Sequence, residues 1–375
     1  MILPESVLKK IAGKRIVGFG ETAHWSTETT RCVCNNIRQL ILKHNCRLVL
    51  LEKPLDLVAQ YNLYIHGYTI DSVFLGYQPP YKKIDTTYRK LHFDDPELER
   101  FVNWVKEYNS GHDDKVRIMG IDQHSYPLSS NCTPPELNRF ISSMKLHSKT
   151  VDSLVNLINA CKRRRIPLKY ALKNTKELLA LMGGFNCMVL LQTLKSRTDT
   201  ALYHPQYINS FDWKQAHRDY LMWQNVKLVM ESFVNDNSVV AIYLHYNHLC
   251  KAPFTYFNEV IPVGQHLSQA YGDDYFHIGI LLGQGYAGAM FLEGWKWKLG
   301  PQVLQMPVKG SIEYLAMQSN HKIFFKQDFV KYTSPLVMRE TGYQNMPVQF
   351  LNRCYFPGYM DGFIFIRNST SIFKD

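Results

Sequence analysis

Glu21 and His24 stand three residues apart in Gly-Glu-Thr-Ala-His, directly after an apolar run. An imidazole changes charge near neutral pH and a carboxylate can orient it, so the pair has the makings of acid–base chemistry. Comparable groups recur along the chain: Glu52 near the end of RLVLLEK, Asp122 closing VRIMGID, and His245 and His248 at the end of SVVAIYLHYNH. Each has a plain alternative. Glu21 suits the N-terminus of a following helix, and a lone histidine such as His24 is more often structural. Glu52 could form a solvated ion pair with Arg47 or Lys53, and Asp122 fits a turn. The H-x-x-H spacing of His245 and His248 is a weak metal motif when it falls in a loop. One pocket explains all four strand ends with fewer coincidences.

Such a pocket needs elements that bring those ends together. RIVGFGE (15–21), RLVLLEK (47–53) and VRIMGID (116–122) are short apolar runs with polar boundaries, the pattern of strands buried on both faces. Between them, residues 26–44 carry Ile37, Leu40 and Ile41 at helical spacing. Residues 96–109 open on Pro-Glu and close at Asn-Ser-Gly, helix start and stop signals. Residues 134–194 read as helical throughout, an insertion or cap with no strand of its own. A helix over about 211–234 precedes SVVAIYLHYNH, the helical GQHLSQAYG and the strand FHIGILLG. The tail predicts a helix near 310–317 and the strands KIFFK and DGFIFI. The expectation is an α/β fold: one domain over 1–375, a mostly parallel central sheet with helices on both faces, and the helical insertion. Ligands of such sheets bind beyond the carboxyl ends of the strands, where these ionisable residues stand.

Composition narrows the class. Tyr and Phe number 43 and charged residues make up 20%, which excludes a disordered chain. The formal charge of +11 favours anionic partners. Its densest run, CKRRRIPLK at 161–169, reads as a solvated turn and has no nucleic-acid module beside it. A small-molecule substrate, anionic ones included, is therefore expected, without nucleic acid or membrane. The eight cysteines form no C-x-x-C pair, so neither a zinc ribbon nor a disulfide framework is indicated. MILPESVLKKIAG lacks signal-peptide character, and no apolar run reaches membrane-spanning length. A cytoplasmic location with reduced thiols is expected, which leaves the sequons at 131–133 and 368–370 little weight.

In order and spacing, IVGFGETAHWSTETTR, LVLLEKP, VRIMGIDQ, HRDYLMWQNV, LHYNH and VGQHLSQAYGDDYFHIGILLGQG resemble the motifs of the erythromycin esterase family. KGSIEYL and YMDGFIFI extend the likeness into the tail. The resemblance implies that Glu21 and His24 are catalytic, the histidine being the base that activates water. It implies site roles for Arg31, Glu52, His245 and His248, and supporting roles for Arg218, Asp219 and Asn225. Where the family commonly has H-N-x-H, this chain has His245-Tyr246-Asn247-His248, which moves the asparagine to Asn247.

These residue types suit hydrolysis of an ester, a lactone included. Glu21 or Glu52 can orient the imidazole, and Arg31 or a protonated His245 or His248 can stabilise the oxyanion. No G-x-S-x-G is present, so direct attack by water is expected rather than a serine acyl-enzyme, with no cofactor. The rival reading is a metal-dependent hydrolase of a peptide or phosphoester, with His24, Glu52, Asp122, His245 and His248 supplying ligands to a divalent ion. A third is a non-catalytic binding protein on the same fold.

Overall fold

Every side chain of Ile16–Glu21 (β1) is buried, because a strand flanked on both sides and covered on both faces has no solvent edge. The computed structural model describes residues 2–54, 58, 61, 62, 64–67, 95–122, 211–234, 237–253, 260–293, 296–332, 335–340, 350–354 and 356–373. The helical insertion read at 134–194 and the basic run at 161–169 lie outside the described residues.

The strands that follow are Cys46–Pro54 (β2), Arg117–Asp122 (β3), Val239–His245 (β4), Tyr275–Glu293 (β5), Lys296–Leu304 (β6), Ile323–Phe325 (β7), Leu336–Glu340 (β8), Phe350–Cys354 (β9) and Gly362–Ser369 (β10). The main sheet runs β3-β2-β4-β1-β5-β10-β7, parallel except for the β10–β7 pair. Glu5–Ala12 (α1), Thr27–Lys43 (α2) and Pro96–Gly111 (α3) cover one face, with Ile37, Leu40, Phe101 and Val105 packed on Val17, Phe19, Val49 and Ala241. Phe211–Phe233 (α4) and Val263–Tyr271 (α5) cover the other, with Met222, Val226 and Leu267 packed against Leu50, Ile121 and Ile242. A third cluster joins Ile312–Met317 (α6) to Phe324, Phe363 and Phe365. This is the α/β architecture expected from the sequence.

The helix starts beside the site are capped in sequence-specific ways. Ser26 Oγ accepts from Thr29 N at 3.2 Å at the start of α2. Asp95 Oδ1 accepts from Glu97 N and Leu98 N at 3.1 and 3.3 Å, with Pro96 opening α3. Gly264 does the equivalent by absence. A Cβ there would lie 2.0 Å from Leu249 O and 2.6 Å from Cys250 O, so α5 approaches the chain after β4 only through glycine. Gly264→Ala is expected to destabilise the protein by about 1–3 kcal/mol through overpacking. Urea titration checks this, and an unchanged midpoint would show that the turn simply yields.

Several elements depart from the sequence reading. β5 runs on to Glu293 rather than stopping near Gly283, because the antiparallel β6 satisfies the backbone of that glycine-rich stretch. The β8–β9 pair and the amphipathic α1 were not anticipated. None changes where β1, β2, β3 and β4 end.

Candidate active site

Glu21 at the end of β1 lies level with His245 at the end of β4. Alternation along β4 puts Tyr243 on the same face as His245, and the Tyr243 hydroxyl donates to Glu21 Oε2. The other carboxylate oxygen, Oε1, is 2.5 Å from His24 Nδ1. An Nδ1–H donating to Glu21 leaves Nε2 with its lone pair, the atom a general base uses. The His24 and His245 rings are 4.9 Å apart between centroids, and the His24 side chain is 24% exposed. The His24 ring is fixed on one side and partly open on the other.

Burial shapes the charges differently at each ring. It opposes the His24 imidazolium, but the hydrogen bond and charge of Glu21 outweigh it and raise the pKa above 6.5. For His245, burial and the nearby His24 hold the pKa well below 6.5 despite Glu52. This corrects the expectation of a protonated His245: an imidazolium there would be buried beside a second one. His245 Nδ1 accepts from Asn247 N at 3.4 Å, so the neutral ring carries its proton on Nε2. Burial and Glu21 together push Tyr243 well above 10, keeping its hydroxyl a donor.

Behind this pair sits a second, deeper network. Arg218 on α4 donates side-on to Asp122 through Nε at 3.2 Å and Nη2 at 2.8 Å, and Nη2 also reaches Glu52 Oε1 at 2.7 Å. Glu52 Oε2 accepts from the His245 backbone N at 2.6 Å, which ties the two networks together. His248 Nδ1 is 2.9 Å from Asp219 Oδ1, which also accepts from Val263 N at the start of α5. Burial opposes the charged His248 ring, but Asp219 and Glu52 lift its pKa to about 10. Its Nε2 is 2.9 Å from Arg218 Nη1, a contact that is a hydrogen bond only for the neutral ring. Three carboxylates around two cations favour the charged form, with Nε2–H turned to Glu52 at 3.3 Å. Burial alone would raise Glu52, yet His248 and Arg218 hold it well below 4.5.

Glu21, His24, Glu52, Asp122, Arg218, Asp219, His245 and His248 thus meet at one sheet edge. Asn225 stands behind them, its Nδ2 bonded to Ile121 O at 2.8 Å. Arg31 differs: its half-exposed guanidinium is held by Glu97 on α3 at 2.8 and 3.0 Å. Sequence reasoning missed Tyr243, which reads as one more apolar strand residue, and Lys53, whose charge lies near Asp95, Glu21 and Glu52. Alternation along β2 carried the signal for Lys53, since it places Lys53 on the face of Val49 and Leu51. Among the described residues no group of three or more His, Cys, Asp or Glu is arranged to hold a metal ion. The carboxylates of Glu52 and Asp122 are already bonded to a guanidinium. Nor is any helix among the described residues long and apolar enough to cross a membrane.

A mostly parallel sheet carries an imidazole–carboxylate pair at its carboxyl edge. The chain belongs to the erythromycin esterase family, whose model matches residues 41–369, and the family match supports a hydrolase acting on ester bonds. An Escherichia coli erythromycin esterase type II is 22% identical over 347 residues, covering 82% of this chain and 79% of that one. Three solved structures share the fold at 15–17% identity and cover 98% of this chain, including the Glu21–His24 segment that precedes the family match. They are a Bacillus cereus protein (TM-score 0.71, 92% of its chain), a succinoglycan biosynthesis protein (0.72, 91%) and a mutant erythromycin esterase EreC in its open conformation (0.66, 94%).

Proposed function

We propose that this protein hydrolyses a small-molecule ester, lactones included, by direct attack of a water activated by His24. The carrying observation is the His24 Nδ1–Glu21 Oε1 contact of 2.5 Å, which leaves Nε2 as the free basic nitrogen beside the neutral His245 ring. Water attacks the carbonyl carbon as Nε2 takes its proton, and Glu21, steadied by Tyr243, stabilises the imidazolium. The oxyanion that forms accepts a hydrogen bond from His245 Nε2–H. Collapse breaks the bond to the leaving oxygen, which takes the proton back from His24, so ester and water become acid and alcohol. Arg218, Glu52, Asp122, His248 and Asp219 are positioning residues, because Glu52 pins the His245 backbone. Arg31 is given no step, since Glu97 engages its guanidinium. The erythromycin esterases to which this chain is similar fall within this class.

The pH profile tests the base. His24 must be neutral to accept a proton, and Glu21 raises its pKa, so kcat/KM should rise with pH with a midpoint above 6.5. Glu21→Gln removes the charge that favours imidazolium while leaving the burial that opposes it, so the midpoint should move down as the maximum rate falls. With 2-naphthyl acetate as substrate, a limb that stays in place in the variant would show that another group titrates.

A further inference from the structure

Trp25, the residue after His24, adopts φ of 56°. That left-handed conformation crowds an L side chain, and among the described residues the other non-glycine example is Asn45, of a type that tolerates it. The backbone here is held from outside. Gly288 N donates to His24 O at 3.2 Å, Ile372 N to Trp25 O at 3.1 Å, and Thr27 N to Thr370 O at 2.9 Å. Ser26 Oγ adds a 2.8 Å hydrogen bond to Ser369 Oγ. Glycine would satisfy all of these without crowding.

A second position makes room for a side chain at residue 25. A Cβ on Gly288 would fall 2.5 Å from Trp25 Cβ and 2.5 Å from the Phe373 ring, so β5 is bare where Trp25 rests on it. Trp25 is half-buried and lies outside the three clusters described above. Its ring is supported on one side by Phe373 at 5.9 Å and stands 5.4 Å from the His24 ring. Backbone strain of this kind clusters at active sites and ligand clamps, and here it falls beside His24 at a position glycine would fill freely.

We infer that the Trp25 indole is one wall of the substrate pocket, and that the ester bears a flat or cyclic apolar group that stacks on it beside His24. This deepens the proposed hydrolysis by naming the substrate's shape. Such a contact should be worth about five- to tenfold in affinity. The test is binding of 2-acetonaphthone, which presents a ketone in place of the ester and is not hydrolysed. Trp25→Gly, which suits the left-handed backbone, should weaken binding about five- to tenfold, whereas Trp25→Phe should keep most of it. Equal binding by wild type and Trp25→Gly, or no measurable binding by wild type, overturns the inference. Hydrolysis is judged separately: His24→Ala should bind the ketone normally while failing to cleave 2-naphthyl acetate. A wild type that binds the ketone but leaves that ester intact would count against the hydrolytic reading and leave the aromatic wall standing.

Discussion

Replacing His24 with alanine should lower ester hydrolysis by about 10²- to 10⁴-fold, the usual cost of losing general-base assistance. Folding should be nearly unaffected, for three reasons. The side chain is 24% exposed, it lies outside the core, and its partner Glu21 keeps the Tyr243 hydroxyl. Melting and rate measured side by side separate this from a structural role. A structural histidine would cost about 1–3 kcal/mol if its loss left a buried partner unpaired. A variant that melts early yet keeps its rate when folded would remove His24 from the mechanism, and the base would have to be sought at His248 or His245.

Arg218→Met should have the opposite signature, a large loss of stability. Arg218 is 9% exposed and bonds both Glu52 and Asp122, and methionine would leave those carboxylates buried beside an apolar chain. Removing one partner of a buried ion pair costs about 3–5 kcal/mol, because the charges left behind lose their compensation. The pH dependence fixes the cause. Glu52 has a folded pKa well below 4.5, so its share of stability is complete above the unfolded value and fades as pH falls through the folded one. In the variant Glu52 keeps His248 but loses Arg218, so its pKa rises from the wild-type value, and the deficit should be full near neutrality and shrink as acid protonates the carboxylate. Urea titrations across that range decide it. A small deficit that does not vary with pH would mean that the carboxylates find water or other cations once Arg218 is gone. Because Glu52 also holds the His245 backbone, the folded fraction of this variant should turn over slowly as well.

How far the site could be read in advance depended on the range of the interactions. Glu21, His24, Glu52, Asp122, His245 and His248 were visible because each lies at or just past the end of an apolar run, and a parallel sheet brings such ends to one edge. Arg218 was visible only as a supporting residue, since a buried guanidinium inside HRDYLMW looks the same as a solvated one until its carboxylates are located. Arg31 stands at the position the family resemblance marks, but its partner Glu97 lies on another helix, 66 residues away. The charge of His245 was equally hidden, because it follows from burial and from the nearness of His24 rather than from residue type.

By itself, then, the sequence determined the local order: which runs form the parallel strands at the site, that helices open after Ser26 and at Pro96, and which ionisable residues follow each strand. Those choices rest on side-chain periodicity and on caps a few residues long. The tertiary structure alone decided that β4 enters between β1 and β2, which puts Tyr243 against Glu21 and His245 beside His24. It also decided that residues 369–373 return to grip Ser26 and Trp25. Strand order and the return of a distant segment are set by the packing of surfaces remote in sequence, and no local propensity encodes them.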